Sequence, residues 1–376
     1  MVNLLMKKVC VITAARSEYG LLRWIIDEIQ HDDSLKLQLV VTGSHLSPDF
    51  GYTYKEIEQD GYNIDWKVEM LLSSTTKTGI SKSMGLCSIG ISDAFNILEP
   101  DLIVVLGDRY ELLPVCNVAL IMGIPVAHVS GGDATEGAID DQVRNAITMM
   151  STLHFPGVKS SANKIMQMLD SIKNVFVVGE PGLENFKRLT LLGREALAES
   201  LSLDINKKWI LVTQHPETKI SLDDNLVLAS NIINALDALN DIQVVITKAN
   251  ADFGGTEINN YFEGVSMKNS DKYKFYSSLG QLRYLSFMNE VFCVIGNSSS
   301  GIIEAPFLAK TVINIGNRQK GRYLCKNVIS VSGFKNSILD AFNSIHNLKN
   351  KLSPDFYYGN GFTAKQIVSH LKSYLY

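Results

Sequence analysis

Short runs rich in Val and Ile alternate with longer amphipathic stretches from one end of this chain to the other, and that alternation leaves few folds open. KKVCVITAA reads as a buried strand, and LLRWIIDEI after it as a helix with one apolar face. KLQLVVTGS, DLIVVLG and PVAHVSGG follow as strands, separated by the helical TGISKSMGLCSIGISDAFNIL and a helix from about Glu111. A helix from about Ala138 carries HFPG at its end, and NVFVVGE closes the half. Such repetition needs crossover connections, hence a parallel sheet wound on both faces. A second set begins near Lys207, with KWILVTQHP, IQVVITKAN, KYKFYSS, VFCVIGNSSS, TVINIG and NVISVS as strands. At 376 residues the chain exceeds one ordinary core. The expected class is α/β: two Rossmann-like doubly wound domains facing across a cleft. They are residues 1–180 and 181–361, with the last helix, 362–376, packing back on the first.

Composition narrows the function by exclusion. A net charge of −4 and a pI near 6.0 give no reason to expect nucleic acid as partner. No apolar stretch reaches membrane-spanning length, and the N-terminal VCVIT run is too short for a signal peptide. Cys10, Cys87, Cys116, Cys293 and Cys325 are scattered, without a CxxC pair, which favours a reducing cytoplasm and argues against structural zinc. Neither GxGxxG after the first strand nor a P-loop is present, so any nucleotide binds by another device.

Ligands of open α/β sheets sit outside the carboxyl ends of the strands, and polar residues gather there. GNSSSGIIEAP, residues 296–306, opens a helix directly after a strand, where unpaired N–H groups and the helix dipole suit an anion. Ser298 and Ser299 add hydroxyls, and Glu304 could accept from ribose; a serine N-cap without ligand is the plainer alternative. Arg16 and Arg318 follow strands and are candidate phosphate partners, although single arginines are more often surface residues. His215 in QHP suits a proton shuttle or a phosphate contact, or is a structural histidine; His45 has the same placement. His128 alternates with apolar residues as a partly buried ring, and His154 reads as core. Among the acids, Asp108 ends a strand, while Asp140 and Arg144 share a helix face, which an i,i+4 ion pair would also explain. Asp133, Glu136 and Asp141 crowd the same region.

The ordered motifs ARSEYG, GSH, VLGDR, HVSGGD…TEGAIDDQVR, QHPE, GNSSSGIIE and INIGNRQKGR resemble those of the hydrolysing UDP-N-acetylglucosamine 2-epimerases of sialic-acid and legionaminic-acid synthesis. The resemblance runs from about Lys7 to about Gly321. It implies the two-domain architecture also seen in GT-B glycosyltransferases, a UDP-sugar substrate, and no metal or other cofactor. It also implies a cytoplasmic homo-oligomer, dimer or tetramer. The implied reaction eliminates UDP to give 2-acetamidoglucal, then hydrates it to N-acetylmannosamine. By the same resemblance, Asp108 is an acid/base candidate, Asp140 and Arg144 match the (D/E)(D/E)xxR motif, and His215 contacts the diphosphate or shuttles a proton. Ser298, Ser299 and Glu304 match the uridine and phosphate site, with Arg16, Arg318 and the GSH histidine, His45, beside it. One departure stands out: Ser130 occupies the position of a glutamate in many members, and Asp133 is the acid expected to take over, with Glu136 a weaker substitute. The first expected substrate is UDP-N-acetylglucosamine, the alternative a UDP-2,4-diacetamido-2,4,6-trideoxyhexose. A GT-B glycosyltransferase and a non-catalytic nucleotide-sugar-binding regulator are the competing classes.

Overall fold

A computed structural model describes residues 6–74, 76–133, 139–217, 219–249, 254–348 and 352–376. The chain forms two compact units, Met1–Glu184 with Gly359–Tyr376, and Asn185–Tyr358. The first holds a six-stranded sheet of β1 (Lys7–Thr13), β2 (Leu35–Thr42), β3 (Trp66–Val68), β4 (Leu102–Leu106), β5 (Val126–Val129) and β6 (Leu153–Phe155), in the order β3-β2-β1-β4-β5-β6. The second holds β7 (Lys208–Thr213), β8 (Ile242–Thr247), β9 (Tyr273–Tyr276), β10 (Cys293–Gly296), β11 (Thr311–Ile315) and β12 (Val328–Val331), in the order β9-β8-β7-β10-β11-β12. All pairings are parallel, and both orders are those of a doubly wound sheet. Each sheet reverses direction beside its first strand, between β1 and β4 and between β7 and β10.

The strands are apolar on both sides because helices cover both faces. In the first unit, the helix Arg16–Gln30 buries Tyr19, Leu22, Ile25, Ile26 and Ile29 at helical spacing against one face. The helix Thr363–Leu375 joins it there through Ile367, Val368 and Leu371. Hydrogen bonds fasten this returning segment: Thr363 Oγ1 donates to Val178 O at 3.1 Å, and Ala364 N to Glu184 Oε2 at 2.7 Å. The helices Lys77–Leu98, Leu112–Met122 and Asp140–Met150 cover the other face. The second unit is built alike, with separate cores on its two faces. No helix among the described residues is long and apolar enough to cross a membrane.

Two local readings of the first unit change. HFPG, expected at the end of a helix, instead supplies the edge strand β6, after the helix has ended at Met150. NVFVVGE, expected as a strand, runs beside β6 but forms only one isolated bridge, between His154 and Val175. His154 N donates to Asn174 O at 2.8 Å and Phe176 N to His154 O at 2.9 Å. The next donor in that ladder would be residue 156, a proline with no N–H, so one bond is missing there although Val178 N still donates to Pro156 O at 3.1 Å.

Ile367 is fully buried between the terminal helix and the first sheet. Ile367→Ala should therefore cost about 2–5 kcal/mol of unfolding free energy, measured by urea denaturation of the whole chain.

Candidate functional site

In the first unit, β4 ends at Leu106, and Gly107 and Asp108 follow. Across β5, the helix Asp140–Met150 directs Arg144 back toward this turn. The buried guanidinium pairs through Nη2 with Asp108 Oδ2 and donates through Nη1 to Asp141 Oδ1 at 2.9 Å and Asp133 O at 2.6 Å. Burying a guanidinium is costly unless its donors are met, and here two carboxylates and a carbonyl meet them. The Asp133 carboxylate accepts from Ser161 Oγ at 2.6 Å. That approach needs glycine at position 132: its φ is +80°, and a Cβ there would lie 2.3 Å from Ser161 O. Ser130 itself takes φ +58° at the end of β5, and Glu136 lies outside the described residues.

The structure thus gathers Asp108, Asp133 and Arg144, adds Asp141, and sets Asp140 as the first residue of the same helix. His128 lies beneath them, fully buried, with Nε2 2.8 Å from Gly107 O and Nδ1 3.2 Å from Thr148 Oγ1. Since a carbonyl can only accept, the proton is assigned to Nε2 and Thr148 donates to Nδ1. Burial pulls this ring down to about 3, so it is a neutral tie holding the residue before Asp108.

Two other expected residues of this unit lie apart from that cluster. Arg16 is about half exposed and pairs with Glu56 at 2.9 Å. His45 is fully buried, its Nε2 3.0 Å from Thr13 Oγ1 and its Nδ1 2.8 Å from Thr53 Oγ1. With both ring nitrogens engaged, His45 ties the end of β1 to Thr53 in the loop beyond β2.

Two acids near Arg109 of the VLGDR motif, Glu111 and Glu18, escaped the sequence reading as site candidates. Arg109 Nη2 donates to the buried Glu111 Oε1 at 2.7 Å. Glu18, also buried, accepts from Ala14 N at 2.7 Å and Ala15 N at 3.1 Å, and burial pushes its carboxyl up to about 7. The signal available was the glutamate three residues after Ala15, the position that folds back on a helix start.

In the second unit, the loops after β7 and β10 are tied by Asn297. Its Oδ1 accepts from His215 N at 2.7 Å, and its Nδ2 donates to His215 O at 2.8 Å. Its carbonyl accepts from Gln319 Nε2 at 2.7 Å and Arg318 Nη1 at 3.2 Å. Gly296 before it has φ +133°, and a Cβ would sit 2.1 Å from Thr213 O, so only glycine lets β10 hand over to this turn. Asn297 was missed because the backbone it clamps, that of His215, lies 82 residues away in sequence. Glu217 of the QHPE motif accepts from Asn317 N at 2.8 Å and so fixes the loop carrying Arg318.

His215 is buried, and burial with the Arg318 charge draws it down to about 4; at neutral pH it is an uncharged acceptor or donor. Ser298 is the N-cap of the helix Ser299–Phe307, and its hydroxyl lies 3.0 Å from Ser300 Oγ, which in turn meets Tyr284 OH at 2.5 Å. The cap reading therefore holds, with Ser299 half-buried on the first turn. Glu304, half-buried, is pushed by burial up to about 7, and its Oε2 has no hydrogen-bond partner among the described residues. Buried carboxyl oxygens usually find a donor, so this one is suited to a ligand hydroxyl. Among the described residues, no group of three His, Cys, Asp or Glu is placed to hold a metal ion.

Burial keeps His45, His128, His154 and His215 neutral, at about 4, 3, 4 and 4, against 6.5 for a free ring. The stability they contribute is complete above pH 6.5 and is lost as the pH falls toward 4, because the unfolded chain takes up protons the folded chain refuses. Glu18 and Glu304, raised to about 7 from 4.5, have the opposite sign: their contribution is present below pH 4.5 and lost as pH rises through 7. The four rings outweigh the two carboxyls. Unfolding free energy should therefore fall between pH 6.5 and 4.5, by up to ~1.4 kcal/mol per pH unit for each uncompensated ring. A series of urea melts across that range measures it, and a flat profile would contradict it.

The family model described as UDP-N-acetylglucosamine 2-epimerase matches residues 27–372. The chain is 42% identical over 323 residues to the GDP/UDP-N,N'-diacetylbacillosamine 2-epimerase (hydrolyzing) of Campylobacter jejuni, covering 86% of this chain and 84% of that one. It is 29% identical over 369 residues to the UDP-N,N'-diacetylbacillosamine 2-epimerase (hydrolyzing) of Legionella pneumophila, covering 98% and 96%. Among solved structures, UDP-GlcNAc 2-epimerase from Neisseria meningitidis bound to UDP-GlcNAc has a TM-score of 0.81 at 16% identity, covering 97% of this chain and 100% of that one. The twin doubly wound sheets and the match along nearly the whole chain lead to one conclusion: the chain belongs to the UDP-N-acetylglucosamine 2-epimerase family.

Proposed function

We propose that this chain is a hydrolysing 2-epimerase acting on nucleoside-diphosphate-linked N,N'-diacetylbacillosamine, a 2,4-diacetamido-2,4,6-trideoxyhexose. The observation that carries the sugar is the 42% identity, over 86% of the chain, to a protein named for it. The motifs alone put UDP-N-acetylglucosamine first, and the relatives reverse that order. Because the first relative is named for both GDP and UDP, the base remains an arm of the test.

In the proposed reaction the bond from C1 to the diphosphate oxygen breaks, its electrons leave with the diphosphate, and C2 loses its proton, giving a 2-acetamidoglycal. Water then adds its oxygen to C1, while a proton reaches C2 from the opposite face. The balance is one water consumed, with the nucleoside diphosphate and the free 2-epimeric sugar released. C2–H is only weakly acidic, so departure of the diphosphate must lead, and it needs donors where charge develops. The N–H groups and hydroxyls at Ser298 and Ser299, with Arg318 held against Asn297 O, support that role, and the unpartnered Glu304 oxygen suits a ribose hydroxyl. His215, neutral and clamped by Asn297, can receive or return a proton at the leaving oxygen. The proton steps at C2 fall to Asp108 and the acids around Arg144. Asp133 takes the place of the glutamate that Ser130 replaces, and Asp140 adds a further carboxylate. Arg144 keeps these groups in register as their charge changes.

UDP- and GDP-N,N'-diacetylbacillosamine and UDP-N-acetylglucosamine, assayed side by side in deuterium oxide, test this reading. We expect release of the nucleoside diphosphate with water alone, deuterium at C2 of a manno-configured free sugar, and kcat/KM at least tenfold higher for a diacetamido substrate. A preference for UDP-N-acetylglucosamine would overturn the sugar assignment, and an unlabelled C2 would overturn the mechanism. Asp108→Asn should lower kcat by ~10²–10⁴-fold, while Glu304→Gln should act mainly on KM.

A further inference from the structure

The hydroxyls at the helix start Ser298–Ser299 do not act singly. Thr247 ends β8, Thr213 ends β7, and these strands are neighbours in the second sheet. Their hydroxyl oxygens lie 2.6 Å apart. Beyond Thr213 stands Tyr284, on the helix Gly280–Glu290, whose oxygen interacts with the hydroxyls of Thr213, Ser300 and Ser298. Tyr284 OH is 2.5 Å from Ser300 Oγ, and Ser300 Oγ is 3.0 Å from Ser298 Oγ. Five hydroxyls thus form one line from the carboxyl ends of β8 and β7 to the second residue beyond β10. Thr213, Thr247 and Ser300 are buried, whereas Ser298 is half-buried, so the line runs from the core to the start of that helix.

A hydroxyl has one hydrogen to donate. The four links among these five oxygens use four hydrogens, and one remains. Aligned in one sense, the last hydrogen belongs to Thr247 and its acceptor is Val212 O, at 3.5 Å a long contact. Aligned in the other, it belongs to Ser298 and points out from the helix start. The N-cap bond does not compete for it, because there Ser298 Oγ accepts, from Ser300 N at 3.4 Å. Burial holds the Tyr284 phenol above its ordinary value, so the middle of the line stays protonated at neutral pH. Each bond in such a line polarises the next, which makes its end a stronger donor than an isolated serine.

Resting on the reaction proposed above, which sets the diphosphate at Ser298 and Ser299, we infer that Tyr284 is a positioning residue for the leaving group: through Ser300, its hydroxyl turns the Ser298 O–H outward onto the diphosphate oxygens. Those oxygens gain charge as the bond to C1 breaks, and a donor already aimed at them needs no reorientation at that moment. Loss of the alignment should therefore appear in kcat and in the affinity for free nucleoside diphosphate, which carries the whole of that charge, more than in KM.

Calorimetric titration of the full chain with UDP and GDP, beside steady-state release of each from its N,N'-diacetylbacillosamine conjugate, tests this. Tyr284→Phe keeps the ring and removes the hydroxyl. It should weaken binding of the nucleoside diphosphate about tenfold and lower kcat by a similar factor, with KM within about twofold of wild type. Ser300→Ala should do the same, and the double variant should lose no more than about twofold beyond either single one, since both cut the same line. Tyr276→Phe is the control. Tyr276 OH donates to Leu201 O at 2.9 Å, so its loss should lower the melting temperature and leave diphosphate affinity and kcat unchanged. Wild-type affinity and kcat in Tyr284→Phe, a loss confined to KM, fully additive losses in the double variant, or an equal loss of affinity in Tyr276→Phe would overturn the inference and leave the proposed reaction standing. A wild-type chain that binds neither UDP nor GDP would overturn the proposed function along with it.

Discussion

A parallel strand cannot be followed directly by its neighbour; the chain must first cross back over the sheet, and this requirement organises everything else in the molecule. All the crossovers but the one from β11 to β12 carry a helix, so both faces of both sheets are covered and the strands can be apolar throughout. Because the first strand of each sheet lies in the middle, the crossovers leave it toward opposite edges at β1/β4 and β7/β10. The loops beyond those strand ends part there, and polar side chains occupy the opening. Asp108 follows β4, His215 follows β7 and Asn297 follows β10, each within two residues of its strand.

The two units solve the same problem of buried polarity in different ways. The first places one guanidinium at the centre and lets two carboxylates and a carbonyl converge on it, so its geometry rests on charge and would be lost with any partner that left Arg144 buried and unpaired. The second uses a neutral side-chain amide. Asn297 offers one donor and one acceptor to the backbone of His215, imitating a neighbouring strand, and that bond survives any change in the charge of the ring it positions. A charged hub among the acids and a neutral clamp under the histidine suit the proposed division between proton transfer and departure of a diphosphate.

Much of this architecture was legible residue by residue. Runs such as CVITAA, LIVVL and VVIT are continuous, β-branched and bounded by glycine or polar residues, and each became a strand. Where local reading failed, a single neighbour usually explains it. Pro156 has no N–H, so the pairing of the Val175 segment lacks one bond, and β3 is only Trp66–Val68, too short to show a period. The spacing of Asp140 and Arg144 put the arginine on an acidic helix face, but it could not show that one nitrogen donates to Asp141 at i,i+3 while the other turns to Asp108, 36 residues away. The place of His45 just after a strand was legible, but not that two threonine hydroxyls, one from β1 and one from the loop beyond, meet its ring.

The amino-acid sequence by itself determined the class of fold, most of the order of strands and helices, and the ordered motifs that place the chain in its family, because these depend on periodicity and on spacing along the covalent chain. Tertiary structure alone decided that Asp108 and Asp141 answer Arg144, that Asn297 holds His215, and that the Glu304 Oε2 has no hydrogen-bond partner among the described residues. Those outcomes depend on groups tens of residues apart being brought within hydrogen-bonding reach. The register between strands and the packing of helices across a sheet set that distance, and no local pattern encodes it.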